Sequence, residues 1–402
     1  MLSIRYFVAW EQRKLGEVGE TYTGLSGKTK QDFGHGEAQF VTYMNVYTNT
    51  IANLHMVEQV EIDNHQNEVQ YGDVFFTTSS ETPEEVGMTS VWLGNSRFIY
   101  LNSFCFGFRP VYEIDSYYLA YMLRSASIRK KLTVLAQGIS RYNISKKRVM
   151  DISVFLPSLE EQHKVGNFFK QLDSLIALHQ RKLDKLKRVK SAYLTEMFPA
   201  EGEREPKRRF PGFTVAWEQR RLGEVADVRD GTHDSPKYIN EGYPLLTSKN
   251  VGDGYINYDD VKYVSENDYV QINKRSKVDV NDILMGMIGT IGNLALIREE
   301  PDFAIKNVAL IKHTSNFDYQ FLFQELQTSA ISKELLSGMD GGTQKFVSLK
   351  KIRNLSVMLP SENEQKKIGS YLMHFDSLIA LHQRKLDKLK KMKAAYLEEM
   401  FV

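Results

Sequence analysis

Two glycine-rich stretches and one cysteine are the places where residue type and spacing could support phosphate or thiol chemistry. Residues 24–29 read GLSGKT, but the first glycine of a phosphate-binding loop would fall at Tyr22, so the cradle is incomplete. Residues 286–292 (GMIGTIG) lack the dinucleotide fingerprint and favour a tight turn after a strand. The single cysteine, Cys105, excludes an intrachain disulfide and a multi-cysteine zinc site. We therefore expect no catalytic and no metal site in this chain.

Composition and charge narrow the class of protein. With 402 residues, of which 42% are hydrophobic and 25% charged, the chain is long enough for two or more folded domains. A formal net charge of +2 does not by itself indicate a nucleic-acid-binding protein. No stretch approaches the roughly 20 apolar residues that span a bilayer, and the amino terminus lacks the order of a signal peptide. We therefore expect a cytoplasmic protein without a membrane partner.

The sequence contains an internal duplication. Residues 8–18 read VAWEQRKLGEV and residues 215–225 read VAWEQRRLGEV, with one conservative difference. A longer copy relates residues 154–198 to residues 357–401, and residues 173–187 recur in it without a change. This period is too long for a solenoid of short repeats and indicates a duplicated domain followed by a helix.

Each longer copy predicts a long helix. Ser158 with Glu161 and Ser361 with Glu364 follow a proline and have the spacing of a capping box, which marks a helix start. Both copies then continue without proline for about 40 residues, which corresponds to roughly 60 Å of helix.

A stripe of residues recurs along both helices at alternating steps of four and three, the period of a coiled-coil seam. An isolated stripe would expose apolar surface, so we predict that the helices pair as an antiparallel coiled coil. The seam histidines are interpreted as packing or register residues, with a metal or catalytic role as the alternative. The basic residues within Arg181–Lys190 form either a solvated face or a contact to DNA phosphates. The predicted seam comprises Leu172, Ile176, His179, Leu183, Leu186, Lys190 and Tyr193, followed by Phe375, Ile379, His382, Leu386, Leu389, Lys393 and Tyr396.

The segments between the copies, residues 19–153 and 226–356, have little sequence in common. Apolar runs bounded by turn residues predict a mixed α/β fold for each. Strands are predicted at 73–78, 97–108, 282–288 and 304–313, and helices at 116–135 and 318–336. The predicted organisation is a first globular domain at 1–156, a first helix at 157–200, a linker at 201–213, a second globular domain at 214–359 and a second helix at 360–402.

Both domains end in a loop next to the long helix, GISRYNIS at 138–145 and GGTQKFVS at 341–348. Basic and amide side chains on such loops suit contacts to phosphates or base edges; the alternative is a solvated loop that closes the domain. Candidate DNA contacts, chosen by residue type, are Lys28, Lys30, His35, Arg141 and Tyr142 in the first domain and Arg229, His233, Lys237, Lys249, Asn250, Gln344 and Lys345 in the second.

Taken together, AWEQRRLGEV at 216–225, GGTQKFVSLKKIRNLSVMLP at 341–360 and FDSLIALHQRKLDKLKKMKAAYLEEMF at 375–401 resemble the conserved regions of type I restriction-modification specificity subunits. The resemblance covers the whole chain. It departs at the amino terminus, where RYFVAW stands in place of the RFPGFTVAW that precedes the second domain. This puts the start of the first domain in doubt.

The resemblance implies two target recognition domains that each read half of a bipartite double-stranded DNA sequence, with the helices as a spacer. It implies two methyltransferase subunits as partners, which carry S-adenosylmethionine, and restriction subunits that use ATP and Mg. No cofactor is then expected on this chain. The alternatives are a coiled-coil scaffold without DNA specificity, favoured by the small net charge, and an enzyme acting alone. A complex that only methylates is equally compatible with the sequence.

Overall fold

A computed structural model of the chain describes residues 10–315, 317–337 and 345–401. It divides into two compact units, Met1–Gln180 with Arg384–Val402 and Arg181–Gln383. Each unit holds one globular domain together with segments of both long helices. The described part is mixed α/β, in agreement with the predicted fold class. The domain boundaries drawn from the sequence stay predictions.

The first globular domain consists of a four-stranded sheet, a three-stranded sheet, two pairs of strands and short helices. The strands are β1 (Glu11–Lys14), β2 (Gly19–Thr23), β3 (Phe33–Val41), β4 (Val57–Val60), β5 (Val74–Thr77), β6 (Ser79–Ser80), β7 (Thr89–Val91), β8 (Ile99–Leu101), β9 (Cys105–Pro110), β10 (Tyr142–Asn143) and β11 (Ser153–Leu156). The helices are α1 (Leu15–Val18), α2 (Tyr43–Thr48), α3 (Ser116–Leu123), α4 (Ala126–Leu135) and α5 (Lys146–Met150), and the long helix α6 (Leu159–Glu196) follows. One sheet has the order β2-β9-β5-β7 and the other β4-β3-β8.

The second domain repeats this topology. Its strands are β12 (Glu218–Arg221), β13 (Asp227–Asp230), β14 (Tyr243–Leu246), β15 (Lys262–Val264), β16 (Ile283–Gly286), β17 (Leu294–Leu296), β18 (Ala304–Ile305), β19 (Val308–Lys312) and β20 (Ser356–Leu359). Its helices are α7 (Leu222–Val225), α8 (Glu266–Ser276), α9 (Tyr319–Glu325), α10 (Ser329–Leu336) and α11 (Leu349–Arg353), followed by the long helix α12 (Glu362–Glu399). The sheet orders, β13-β19-β16-β17 and β15-β14-β18, correspond strand for strand to those of the first domain.

The two blocks of repeated sequence meet each other in space. β1 pairs antiparallel with β11, so that Glu11 lies opposite Leu156, and β12 pairs with β20, so that Glu218 lies opposite Leu359. The start of each domain is therefore hydrogen-bonded to the strand that leads into its long helix. The two repeated blocks thus form the same local structure in both domains.

The predicted elements are present but several are divided. The helix predicted at 116–135 is two helices, because Ser125 caps a new helix by accepting a hydrogen bond from Ile128 N. Thr328 divides the helix predicted at 318–336 in the same way. The strand predicted at 304–313 is interrupted at Asn307, whose φ is 52°. A serine or threonine oxygen that can cap a helix competes locally with continuation of the preceding one.

The two long helices begin where the sequence predicts. Ser158 Oγ accepts a hydrogen bond from Glu161 N (3.3 Å), as in a helix cap. At the start of the second helix, Glu364 N donates to the carbonyl of Ser361 (2.9 Å), and the carboxylate of Glu364 is paired with Arg209. The Arg209 side chain is 13% exposed and that of Glu364 1%, so this pair holds the segment before the second domain on α12.

Aromatic contacts show the direction of the helix pair. In the first unit, Phe168 near the start of α6 packs against Tyr396 near the end of α12, with ring centroids 5.2 Å apart. In the second unit, Tyr193 near the end of α6 packs against Tyr371 near the start of α12, at 5.3 Å. The helices therefore run antiparallel, and the predicted antiparallel coiled coil is confirmed.

Each domain is held on the helices by matching glycine and glutamine contacts. The Asp115 side chain caps α3, and this cap lies so close to α6 that a Cβ at Gly166 would stand 2.5 Å from Asp115 Oδ1. Gln162 Oε1 accepts from Asp115 N (3.1 Å), while its Nε2 donates to the carbonyl of Pro157 (2.9 Å). In the second domain Asp318, Gly369, Gln365 and Pro360 make the same contacts.

The predicted seam residues all lie in α6 and α12, and none of them is exposed. Leu172, Leu183 and Leu386 are almost fully buried. Lys190 is also buried, with 8% of its surface exposed, and its charge is paired with Asp376. The seam of this helix pair is therefore partly polar.

Candidate nucleic-acid interface

A Thr-x-x-Asn turn follows the middle strand of the smaller sheet in the first domain. Thr42 Oγ1 caps α2 by accepting a hydrogen bond from Asn45 N (3.2 Å). Asn45 is fully buried, and its Nδ2 donates to the carbonyls of Asn53 (2.8 Å) and Met56 (2.9 Å). The turn is therefore held from within, and Met44 is its exposed residue.

The second domain has the same turn at Thr247–Asn250, although the surrounding sequences are dissimilar. Asn250 is 1% exposed; its Oδ1 accepts from Thr247 N and Oγ1, both at 2.9 Å, and its Nδ2 donates to the carbonyl of Asn257 (3.0 Å). The choice of Asn250 as a base-contacting residue is therefore not supported, because its polar atoms are used inside the domain. The Thr-x-x-Asn pattern that the two domains share is the sequence signal that could have identified these turns.

The residue after the threonine ties each turn to the central strand of the larger sheet. In the first domain Tyr43 Oη donates to the carbonyl of Ser79 (2.9 Å), just beyond β5. In the second domain Ser248 Oγ accepts from Met287 N (3.0 Å) and Ile288 N (3.2 Å), just beyond β16. The predicted glycine turn follows directly, with Gly289 at a φ of 74°.

The loop that ends each domain lies against the same strand extension. Tyr142 and Asn143 form β10, which pairs with Ser80 and Ser79 of β6. In the second domain Val347 N donates to the carbonyl of Met287 (3.0 Å). Turn, strand extension and end loop thus converge at one corner in each domain, which we call the recognition corner.

The recognition corner of the first domain contains an open cavity of about 460 Å³. The rings of Tyr43 and Tyr47 stack with centroids 6.1 Å apart, and Arg141 at its rim is exposed. A guanidinium can bind guanine through two hydrogen bonds, and apolar or aromatic groups can contact thymine methyls. The lining residues are Tyr43, Met44, Tyr47, Ser79, Ser80, Glu81, Glu85, Phe104, Ser140 and Arg141.

One carboxylate in this cavity is kept ionised. Glu85 accepts hydrogen bonds from Tyr47 Oη (2.5 Å) and Ser80 Oγ (2.9 Å). The Tyr47 hydroxyl, followed by those of Ser80 and Thr82, holds the pKa of Glu85 below its usual range. The cavity is therefore lined by both a carboxylate acceptor and the Arg141 donor, a combination that suits base edges.

A buried arginine supports the turn from below. Arg124 Nη2 donates to the carbonyls of Val46 (2.8 Å), Tyr47 (3.0 Å) and Asn49 (3.1 Å) at the end of α2. Burial lowers the pKa of Arg124 to about 10. The guanidinium remains a cation near neutral pH, and it both satisfies the last carbonyls of the short helix and opposes the negative end of its dipole.

The recognition corner of the second domain is chemically different. The position of Met44 is occupied by Lys249, which is exposed and donates to the carbonyl of Asp260 (3.2 Å). Lys345 is exposed next to Phe346, which bridges to Ile288. This corner offers two ammonium groups and apolar surface, where the first offers a guanidinium, stacked rings and a carboxylate.

Three first-domain candidates lie away from the recognition corner. His35 is near the start of β3, whereas Tyr43 follows its end, roughly 20 Å along the strand. Lys30 is exposed in a short 3-10 turn on the same side. Lys28 is paired with Asp63 at 2.8 Å, and its side chain is only 13% exposed. The structure brings together Arg141 and Tyr142 but not these three residues.

Two of the remaining second-domain candidates are bonded within the domain. Arg229 pairs with Asp227 at 2.6 Å. His233 is hydrogen-bonded to both Asn307 and Asp230 at 2.8 Å, and these bonds raise its pKa. Lys237 is exposed on the loop between β13 and β14. Gln344 lies outside the described residues.

No cluster of histidine, cysteine, aspartate or glutamate suited to a metal ion occurs within residues 10–315, 317–337 and 345–401. In the same part of the chain, no helix is both long and apolar enough to cross a membrane.

The sequence of the chain is similar to those of known proteins. The family model of the type I restriction modification DNA specificity domain matches the chain twice, over residues 8–188 and 214–391. The chain is 26% identical over 291 residues to the MjaVIII specificity subunit of a type I restriction enzyme from Methanocaldococcus jannaschii, covering 70% of this chain and 68% of the relative. It is 23% identical over 399 residues to the putative MjaX specificity subunit of the same organism, covering 96% and 91%.

Solved structures show the same fold. The crystal structure of a type I restriction-modification system S subunit from M. genitalium superposes with a TM-score of 0.65 at 16% identity, covering 100% of this chain and 98% of that one. A chain from work on complex assembly and conformational transition of the type I R-M system superposes with a TM-score of 0.53 at 19% identity, covering 97% of both.

Proposed function

The chain belongs to the family of type I restriction-modification DNA specificity domains, and we propose that it reads a bipartite DNA sequence, one half-site with each globular domain. DNA target recognition is implied by the family, and the chain is a non-catalytic subunit. What we propose in addition is that the target has two half-sites, one bound by each globular domain.

The observation that supports this proposal is the pair of recognition corners. Both are built by the same backbone devices, a Thr-x-x-Asn turn, a strand extension and an end loop, yet they present different side chains. Two domains that bind different half-sites need the same backbone structure but different surface side chains, because contacts to the bases, and not the fold, specify the DNA sequence.

We also propose that the chain acts within a complex in the cytoplasm. The duplicated helices and strand pairs offer two equivalent surfaces, which suits two identical methyltransferase subunits, with restriction subunits joining in the full assembly. S-adenosylmethionine, ATP and Mg would be bound by those partners, and this chain would bind none of them.

The test is methylome sequencing of a methylation-deficient host that expresses this chain with its methyltransferase partner. We expect one bipartite adenine-methylated motif. Exchange of the second domain for that of another family member should change one half of the motif and leave the other half unchanged. A stable complex without sequence-selective methylation would instead favour the coiled-coil scaffold.

A further inference from the structure

Each domain shares a polar joint with the helix pair, largely buried in the second unit and half-buried in the first. In the second unit Lys190 of α6 binds Asp376 of α12, with 2.6 Å between Nζ and Oδ1. Gln324 of α9 donates to the other oxygen of Asp376 (2.6 Å), and Gln327 Oε1 accepts from Lys190 Nζ (2.7 Å). The Lys190 side chain is 10% exposed and that of Asp376 18%. We call these four residues the second joint.

The first unit contains the equivalent joint with the helices exchanged. Lys393 of α12 binds Asp173 of α6, again with 2.6 Å between Nζ and Oδ1. Tyr121 of α3 donates to the other oxygen of Asp173 (2.8 Å), and the Lys393 ammonium lies 5.3 Å from the centre of the Tyr121 ring. These three residues form the first joint.

The joints are reciprocal. α6 supplies the aspartate of the first joint and the lysine of the second, and α12 supplies the other two residues. Sliding one helix along the other by a single turn, about 5.4 Å, would separate both ion pairs at once. Leaving the largely buried Lys190 charge without its partner is strongly unfavourable. The first pair, whose side chains are 21% and 36% exposed, adds a smaller penalty, so the two pairs together favour one register of the helices.

The third partner in each joint comes from the recognition domain. Tyr121 and Gln324 occupy equivalent positions on α3 and α9, the helices whose caps are docked at Gly166 and Gly369. One end of each domain helix is thus fixed by backbone contact with a glycine. The hydrogen bond to the aspartate fixes a second point, and two points restrict rotation of the domain about the contact.

From this geometry we infer that Asp173 and Asp376 are positioning residues that hold each recognition domain in one orientation on the helix pair, and so restrict the spacing between the half-sites that the protein accepts. The inference rests on the proposed bipartite reading. Substitution of either aspartate leaves the base contacts at the recognition corners intact. It should therefore change which spacings between the half-sites are methylated.

The experiment uses the complex of the full chain with its methyltransferase partner. A pool of duplexes carries both half-sites separated by the native spacer or by spacers one or two base pairs shorter or longer, and methylation is counted for each spacer. We expect Asp376→Asn and Lys190→Met to raise methylation at non-native spacers relative to the native one by roughly tenfold, the ratio controlled by one buried hydrogen bond to a charged group.

Lys366→Met is the matched control, because Lys366 forms an exposed ion pair with Glu362 along α12 itself. It should leave the ratio unchanged. A variant that only loses stability would lower methylation at every spacer equally, so the ratio separates positioning from folding. If the joint variants fail to assemble, Gln324→Leu and Tyr121→Phe, which retain both ion pairs, decide instead.

An unchanged spacer ratio in an assembled Gln324→Leu or Asp376→Asn complex would overturn the inference. A wild-type complex that methylates without any bipartite preference would count against the proposed function itself, which is a different outcome in the same experiment.

Discussion

The last turns of α3 and α9, with the residues just after them, have the same place in the two domains but different chemistry. Tyr121, Met122 and Arg124 in the first domain correspond to Gln324, Glu325 and Gln327 in the second. Tyr121 and Gln324 both reach the helix aspartate, whereas Arg124 turns toward α2 and Gln327 toward Lys190. The backbone frame therefore accepts aromatic, amide or charged side chains, provided that each buried polar group finds a partner.

Two buried oxygens on α9 are exceptions to that pattern, Gln324 Oε1 and one carboxylate oxygen of Glu325. Glu325 is the ionisable residue of the two. It is fully buried, its Oε1 accepts a hydrogen bond from Met358 N, and its Oε2 has no partner among the described residues. Burial raises the pKa of Glu325 well above its ordinary value. The first domain has Met122 at this position, so only one of these two equivalent positions holds an acid.

The largest effect is expected from substitution of the buried asparagine in either Thr-x-x-Asn turn. Asn45→Ala and Asn250→Ala should each lower the free energy of unfolding of their own domain by about 3 kcal/mol, because each leaves several buried backbone groups without a partner. Hydrogen exchange resolved by domain would measure this. Asn67→Ala, at an exposed position, is the control. If one substitution lowered protection equally in both domains, the prediction that each turn stabilises only its own domain would be wrong.

A pH series sharpens the contrast at Glu325. Its folded pKa lies above the unfolded value of 4.5, so the unfolded state loses its proton first and the second domain loses stability as pH rises above about 4.5. Glu325→Met should remove up to one proton equivalent from the slope of the unfolding free energy against pH. Urea unfolding from pH 5 to 8 measures this slope, and Met122→Leu serves as the control. Parallel curves for wild type and Glu325→Met would refute the buried acid.

The next comparison concerns the two recognition corners. Arg141→Ala should weaken discrimination in the first half-site by about 2 kcal/mol if the guanidinium binds a base edge. Lys345→Ala should weaken binding to all sequences alike and reduce the salt slope by about one, as expected for a phosphate contact. Equilibrium binding of the methyltransferase complex to half-site variants at several salt concentrations distinguishes the two. Equal effects on every sequence from Arg141→Ala would argue against base reading.

The smallest effect is expected where the two helices are alike and exposed. Glu160 pairs with Lys164 and Glu362 with Lys366, each one turn apart. Replacing either lysine by methionine should leave the unfolding free energy almost unchanged, since exposed pairs are screened by solvent. Thermal unfolding at low and high salt would test this, and a large loss for one helix alone would show that their environments differ.

The sequence by itself determined the duplication, the two long antiparallel helices and the mixed α/β class of the domains. These properties depend on local periodicity, capping residues and direct repetition, all of which are visible along the chain. It also identified the two loops that end the domains. Arg141, Tyr142 and Lys345 were accessible to this reasoning because they lie only about a dozen residues before the repeated block.

Only the tertiary structure decided which polar residues face one another. That Lys190 meets Asp376, that Asn250 is buried, and that Lys28 is already paired with Asp63 depend on residues distant in the chain. Residue type suggests what a side chain can bond to, but burial and long-range pairing determine whether it is used inside the fold or left for a partner.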